Sequence, residues 1–215
     1  MDYRLNLMLK GPELPATYRN YIQGCIYNIL QQDPLTSRIH NEIFSLFTFQ
    51  LTNQPTDNPE DSEIYNFSLR VSSFYRKVLD LIQKQADTGS LKLGKDIFQI
   101  TDIIREPLTR GADFYVDSLL VIGKDKKMMV AWEKDYNTAV EMAIRNRWKY
   151  AYRTELPRTL FGFTEKPKVQ KNYYQNRTLA THSGPISILS TPEVIQFVQN
   201  VGLGHKTSCG FGMVI

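Results

Sequence analysis

Residues 2–32, DYRLNLMLKGPELPATYRNYIQGCIYNILQQ, contain the change of pattern on which the predicted fold depends. Apolar and polar residues alternate over residues 2–9, which is typical of a strand with one buried face. One glycine and two prolines within residues 10–15 then interrupt the chain. Over residues 16–32 the apolar residues recur at helical spacing, so the segment predicts a strand followed by an amphipathic helix.

The rest of the N-terminal half continues with strands and one more helix. Residues 43–51 (IFSLFTFQL) are rich in β-branched and aromatic residues, and residues 64–71 alternate again, so we expect the two to pair across a polar loop. Apolar residues from Phe74 to Ile82 indicate a helix that ends near Gly89, and residues 91–104 contain a further strand. The predicted order is βαββαβ.

The C-terminal half repeats this order. Its predicted elements are a strand at 114–122, a helix at 135–152, paired strands at 166–174 and 178–189, a helix at 191–201 and a strand at 211–215. Two tandem βαββαβ units predict an α+β protein made of two ferredoxin-like domains, residues 1–109 and 110–215, a layout shared with RNA-recognition modules. The layout hosts many functions and by itself indicates none.

The composition excludes several classes of protein. Hydrophobic residues make up 42% and charged residues 22% of the chain, as in an ordinary folded protein. Charges at Asp2, Arg4 and Lys10 argue against a secretory or membrane-spanning N-terminal segment, so we expect a cytoplasmic protein with no membrane partner. Cys25 and Cys209 are far apart, which favours free thiols over a disulfide framework or a zinc site.

Positive charge is concentrated in the second half. Residues 1–109 hold 11 Lys and Arg against 13 Asp and Glu, whereas residues 110–215 hold 15 against 9. The spacing of Arg145, Lys149 and Arg153 places all three on one helix face, which could bind RNA phosphates. The asymmetry favours a polyanionic partner, although charge alone is equally compatible with a solvated basic surface.

A glycine-rich segment, GLGHKTSCGFG, lies at residues 202–212 between the last helix and the last strand. Its glycines permit positive φ angles, which can expose successive N–H groups to phosphate oxygens. The predicted RNA contacts are Gly202, Gly204, His205, Lys206, Thr207, Ser208, Gly210 and Gly212. The segment is neither a Walker loop nor a GxGxxG that opens a helix, so we expect no nucleotide cofactor. A turn packed closely on its own sheet is the structural alternative.

The glycine-rich segment resembles the loop near the C terminus of CRISPR repeat-processing endoribonucleases of the RAMP superfamily, whose pattern GxGxxxxxGFG it meets at every position. The N-terminal half is similar to the same family in LP (14–15), IY (26–27), SRIHNE (37–42) and FTF (47–49). The resemblance covers the whole chain, with the middle third alike only in element order. It implies a metal-independent endoribonuclease that cleaves CRISPR repeat RNA by internal attack of a ribose 2′-hydroxyl, leaving a 2′,3′-cyclic phosphate and a 5′-hydroxyl.

The resemblance also assigns residues. It implies that His40 transfers a proton, a role that suits a group titrating near neutrality. It places Tyr27 where some members carry a catalytic tyrosine, although a tyrosine in an amphipathic helix is equally compatible with the core. The lysine that some members carry soon after the histidine is missing from residues 41–47, and Arg38 or Lys206 could replace its charge.

The three histidines have no metal-ligand spacing, so we expect neither a metal nor another cofactor. We expect His205 to contact RNA and His182 to be structural or a surface RNA contact. Two other functions stay open: a non-catalytic repeat-RNA-binding or structural subunit of a CRISPR effector complex, and an unrelated ferredoxin-like protein. The sequence leaves open whether the chain forms a homodimer.

Overall fold

A computed structural model describes residues 3–41, 44–54, 64–123 and 125–215, without the side chains at positions 40, 41 and 54. The N-terminal unit has one sheet with strand order β2-β3-β1-β5-β4. Its elements are β1 (Tyr3–Gly11), α1 (Tyr18–Leu30), a 3-10 helix (Ser37–Asn41), β2 (Phe47–Gln54), β3 (Tyr65–Ser73), α2 (Arg76–Ala86), β4 (Ser90–Leu93) and β5 (Asp96–Pro107). Strands β2, β3, β1 and β5 form the ferredoxin-like sheet, all antiparallel, and β4 extends its edge.

Two N-terminal predictions need correction. Residues 91–104, expected to contain one strand, form the β4–β5 hairpin, in which Gly94 takes a φ of 65° that permits the tight turn. The strand predicted over 43–51 begins only at Phe47, and residue 43 lies outside the described ranges. Leu46, directly before the strand, has a φ of 43°, which is not an extended conformation. Its side chain packs in the core of the second unit.

The C-terminal unit has strand order β10-β6-β9-β7, which is again the ferredoxin-like arrangement. Its elements are β6 (Asp113–Leu119), α3 (Tyr136–Tyr152), β7 (Leu160–Phe163), β8 (Lys168–Tyr174), β9 (Arg177–Leu189), α4 (Pro192–Val201), a 3-10 helix (Thr207–Cys209) and β10 (Met213–Val214). The predicted α+β class with two ferredoxin-like units is therefore confirmed. The domain limit expected at 109/110 falls between β5 and β6.

The strand β7 was not predicted, because four residues with a central glycine give little strand signal. It takes the sheet position that the sequence assigned to residues 166–174. Those residues form β8, which pairs as predicted with β9, from Lys168 opposite Ser183 to Tyr174 opposite Arg177. The β8–β9 hairpin therefore extends beyond the sheet.

Each unit buries its own apolar core between sheet and helices, and the two units also contact each other. The core of the first contains Leu5, Leu7 and Phe49, and that of the second contains Val116 and Ile186. Helix α4 and the second 3-10 helix lie against β2 and β3 of the first unit. This contact explains why polar residues on the face of the N-terminal sheet that points away from its helices are buried, among them Arg4, Asn6, Thr48 and Ser72.

None of the helices in the described ranges has the length and apolar character required to cross a lipid bilayer.

Candidate nucleic-acid interface

One face of α1 points at the glycine-rich loop of the other unit. Arg19, at 3% exposure, donates to the carbonyl of Gly210 and, from Nη2, to Ser118 Oγ at 3.0 Å and Asn172 Oδ1 at 3.3 Å. Its guanidinium carbon lies 4.7 Å from the centre of the Phe211 ring. These partners come from three separate parts of the C-terminal unit, so a single buried side chain fixes the first helix against the loop.

Gln23, one turn further along α1, continues this contact. Its amide donates to Cys209 Sγ at 3.2 Å and accepts from the Tyr174 hydroxyl at 3.0 Å. The Cys209 thiol donates to the same hydroxyl at 3.0 Å. Burial raises the pKa of Tyr174, so its hydroxyl stays protonated at neutral pH and can donate to Gln23.

Tyr27 occupies the next turn, which completes an i, i+4, i+8 series with Arg19 and Gln23. Its hydroxyl lies 2.7 Å from Ser45 Oγ, and its ring meets Phe47 edge to face with centroids 5.6 Å apart. The side chain is half-buried. The ring therefore packs against the core, as expected for an amphipathic helix, and the hydroxyl lies beside a polar partner at the core's margin.

His40 lies in the 3-10 helix that follows α1, and its side chain is outside the described residues. Two contacts anchor the chain just before His40. Ile39 packs in the N-terminal core, and Thr36 Oγ1 donates to Leu30 O at 2.7 Å. Arg38, on the same short helix, is exposed.

The glycine-rich loop is mostly buried, and its glycines are required by close packing. Gly204 (φ 70°) and Gly212 (φ 69°) have left-handed backbones, and a Cβ on either would overlap a carbonyl, that of Leu120 and Leu203 respectively. The loop N–H groups turn largely inward: His205 N donates to Leu120 O at 2.8 Å. Donations within the protein also come from Gly202, Leu203, Cys209, Gly210 and Gly212. Six of the eleven loop N–H groups are therefore used within the protein, and the exposed side chain of Lys206 is available to a ligand.

Arg147 holds the loop from below. It is 4% exposed and donates to Gly204 O at 2.8 Å, Thr207 Oγ1 at 2.9 Å and Val201 O at 3.2 Å. Burial lowers its pKa to about 10, so it remains charged at neutral pH. Its neighbours Arg145 and Lys149 are exposed, whereas the position of Arg147 on α3 makes it a support for the loop.

The two described histidines are neutral groups with fixed tautomers. His205 Nδ1 accepts from Ile122 N at 3.2 Å, which leaves the proton on Nε2. Burial and the positive charge of Arg147 lower the pKa of His205. His182 is fully buried, accepts from Ala131 N at 3.3 Å, and also has a pKa lowered by burial. Of its two expected roles the structural one applies, since a fully buried ring cannot be a surface RNA contact.

The basic face of α3 is exposed but already paired with carboxylates. Arg145 contacts Glu141 at 2.6 Å, and Lys149 contacts Glu155 at 2.9 Å. Arg153 does not continue the helix: it is the C-cap, with a φ of 60°, and its guanidinium carbon lies 5.1 Å from the centre of the Tyr150 ring. RNA would therefore have to compete with Glu155 for the first two cations.

Sequence reasoning missed Arg19, Gln23 and the true role of Arg147. The signal was present in α1, where polar residues at positions 19 and 23 fall on one line with Tyr27 in a helix that is otherwise amphipathic. For Arg147 the signal was helical spacing, which places it on the buried stripe of α3 with Ile144 and Trp148. Within the described ranges, no three His, Cys, Asp or Glu side chains cluster as metal ligands would.

Comparison with known proteins adds a match to one family model. Residues 120–215 match the family model described as CRISPR associated protein Cas6, C-terminal. No curated protein sequence matches the chain.

Three solved structures share the fold over nearly the full length of both chains. One described as "CRISPR associated protein Cas6" has a TM-score of 0.78 and 17% identity, covering 100% of this chain and 99% of that chain. "An RAMP protein binding different RNA substrates" has a TM-score of 0.79 and 17% identity, with coverages of 99% and 98%. A Cas6-related protein from Pyrococcus furiosus has a TM-score of 0.79 and 16% identity, with coverages of 100% and 98%. The chain therefore shares the fold of these structures, and its residues 120–215 match the C-terminal domain of the CRISPR-associated Cas6 family.

Proposed function

We propose that this protein binds CRISPR repeat RNA between its two units and cleaves it as a metal-independent endoribonuclease. The observation that carries the proposal is the contact between α1 and the glycine-rich loop through Arg19 and Gln23. The contact places α1, which bears Tyr27 and leads to the 3-10 helix that bears His40, against the loop expected to contact RNA. The fold shared with a RAMP protein described as binding different RNA substrates supports RNA as the ligand.

The proposed reaction needs two proton transfers and one phosphorus centre. The 2′-oxygen forms a bond to the adjacent phosphorus as the bond from phosphorus to the 5′-oxygen breaks, which gives the 2′,3′-cyclic phosphate and the 5′-hydroxyl. A base must take the 2′ proton, and an acid must protonate the departing 5′-oxygen. We assign one of these transfers to His40 and place the Tyr27 hydroxyl, next to Ser45, as the second polar group of the site.

Developing negative charge on the phosphorus oxygens also needs donors or cations nearby. Lys206 is exposed in the loop, and its Nζ lies 5.2 Å from the centre of the Tyr174 ring, whose hydroxyl reaches Gln23. Arg38 is exposed on the 3-10 helix that contains His40. These two cations are our candidates for the charge of the lysine missing from residues 41–47.

The second candidate function is repeat-RNA binding without cleavage, as a subunit of an effector complex. The missing lysine favours it, since the site then has fewer groups to offset the transition-state charge. Binding would use the same loop and the same basic surface. Only an activity measurement separates the two.

The test is incubation of the purified protein with repeat RNA in excess EDTA, followed by analysis of the RNA ends. We expect cleavage to persist and to give 5′-hydroxyl and cyclic-phosphate ends. RNA that is bound but never cut would support the second candidate. Failure to distinguish repeat RNA from a scrambled RNA of equal length would contradict both.

A further inference from the structure

A cavity of about 720 Å³ opens beside the glycine-rich loop, on the C-terminal unit. It lies between residues 122 and 126–128 on one side and the tip of the β8–β9 hairpin on the other. Its volume is within the range of about 300–1,000 Å³ typical of small-molecule sites. A single nucleotide fits such a space, whereas an RNA duplex is too wide to enter it.

The side chains that line this cavity are strongly basic. Four of them are cations: Lys126, Lys127, Arg177 and Lys206. All four are exposed, and no carboxylate is among the described residues that line the cavity. The nearby Asp125 pairs with Lys127 at 3.5 Å, which leaves three cations for a ligand. The charge selects an anionic group such as a phosphate.

An apolar surface completes the cavity. Ile122 and Leu179 pack against the small core cluster that contains Tyr174, and Met128 is 43% exposed at the opening. Thioether and aliphatic groups form a favourable contact with the face of a base or a ribose. A site for inorganic phosphate alone would need no such surface, so the combination fits a nucleotide.

The backbone around the cavity takes unusual conformations. Lys126 (φ 62°), Gln175 (φ 47°) and Lys206 (φ 54°) all have left-handed backbones. Non-glycine residues rarely adopt this conformation, and such strained positions cluster at ligand sites. In the described part of the chain only seven such residues occur, and three of them line this one cavity.

The cavity also shares a wall with the interface between the units. Tyr174 lines it, and the hydroxyl of the same residue donates to Gln23 on α1. Lys206 lies over the Tyr174 ring. An RNA strand that leaves the cavity past Tyr174 would therefore meet α1 at Gln23, one turn before Tyr27.

We propose that this cavity binds one unpaired nucleotide of the RNA, with its phosphate among Lys126, Arg177 and Lys206 and its base against Ile122, Met128 and Leu179. The inference rests on the proposed function, because it names where one part of the repeat RNA is held. It adds Ile122, Lys126 and Met128, together with the tip of the β8–β9 hairpin, to the RNA-binding surface.

The first arm of the test compares two double variants in binding to repeat RNA with a 2′-deoxy at the cut nucleotide. Lys126→Gln with Arg177→Gln changes the cavity, and Lys84→Gln with Lys92→Gln makes the same charge change on exposed positions of the N-terminal unit. We expect the cavity variant to bind at least about tenfold more weakly, the effect of about one lost charge-assisted hydrogen bond. The slope of log affinity against log salt should fall by up to about 1.4, at about 0.7 for each single-strand phosphate contact. An equal loss in both variants, or no loss in either, would overturn the cavity as a specific site.

The second arm tests the base. An abasic nucleotide is placed at each repeat position in turn, and binding is measured for the wild type and for Met128→Ser. We expect one unpaired position at which the abasic change weakens wild-type binding about fivefold or more but has little further effect in the variant. If every position has the same effect in both proteins, base binding in the cavity is refuted. Neither arm measures whether the wild type prefers repeat RNA to scrambled RNA. The proposed function can therefore be correct even if the cavity does not bind a nucleotide.

Discussion

The guanidinium of Arg147 donates to Gly204 O at 2.8 Å from beneath the glycine-rich loop. Among the described residues this buried cation has only neutral acceptors, Ala143 O, Val201 O and Thr207 Oγ1 being the others. A buried charge without a counter-ion is stable only when such acceptors surround it. The loop conformation and the protonated arginine therefore depend on each other.

Replacement of Arg147 should accordingly destabilise the fold. We expect Arg147→Met to lower the free energy of unfolding by about 2–4 kcal/mol, because three carbonyls and one hydroxyl lose their donor. Arg145→Ala is the matched control, since that arginine is exposed two residues earlier and should change stability by less than about 1 kcal/mol. Chemical denaturation measures both. Equal stability of the two variants would contradict a structural role for Arg147.

The glycines of the loop should be similarly intolerant. Gly204→Ala is expected to destabilise the protein by at least about 1–3 kcal/mol, because its φ of 70° is unfavourable for alanine and the Cβ would overlap Leu120 O. Gly24→Ala in α1 is the control: nothing lies within 4 Å of its Cβ, and alanine favours helix by about 1 kcal/mol. Thermal unfolding should shift in opposite directions for the two alanine variants. A shift in the same direction would show that packing at Gly204 is not limiting.

The glycine-rich loop shows which features the sequence can predict and which it cannot. The GLG and GFG spacing predicted positive φ angles in the loop, because that conformation is a local property of glycine. It did not predict that His205 N donates to Leu120 O or that Gly212 N donates to Asp117 O, because those partners are distant in sequence. The same limit explains Arg147: helical spacing places it on the buried side of α3, but its partners Gly204 and Thr207 are distant in sequence. The two ferredoxin-like units, by contrast, follow from periodicity within short segments.

Acidification should weaken the fold through His182 and His205. Burial lowers the pKa of His182 and His205 below the ordinary 6.5, so below that pH the unfolded chain binds more protons than the folded one. The free energy of unfolding should fall as the pH drops from about 6.5 toward the folded pKa, by up to about 1.4 kcal/mol per pH unit for each histidine. His205→Asn retains an acceptor for Ile122 N and should reduce the dependence. An unchanged profile in that variant would remove His205 from the explanation.

The basic face of α3 gives two predictions for RNA affinity: loss of its cations should lower the affinity, and loss of a paired carboxylate should raise it. Changing Arg145, Lys149 and Arg153 to neutral residues should weaken RNA binding and lower the salt slope by up to about 0.7 to 0.9 per lost contact. Glu155→Gln should instead strengthen binding, because it releases Lys149 and Arg145 from a competing carboxylate. Asp87→Asn, an equal change of charge at an exposed site after α2, is the control. If the triple variant binds with unaltered affinity and slope, the RNA does not lie on this face.

The prediction that decides the mechanism concerns His40. His40→Ala should leave RNA affinity within a few-fold of the wild type but slow cleavage by roughly 10² to 10⁴, the usual effect of losing one general acid or base. Affinity should survive because His40 belongs to the half of the chain in which acidic residues outnumber basic ones. Tyr27→Phe is the companion variant: it retains the ring that packs on Phe47 and removes only the hydroxyl next to Ser45.

Single-turnover cleavage and equilibrium binding, measured on both variants, separate proton transfer from RNA contact. A 2′-deoxy substitution at the cut nucleotide should abolish cleavage by the wild type, since it deletes the internal nucleophile. Near-normal cleavage by His40→Ala together with slow cleavage by Tyr27→Phe would transfer the acid–base role to the tyrosine. Cleavage of the deoxy substrate would instead require water as the nucleophile, and the proposed reaction would then be wrong for this protein whichever residue carries the proton.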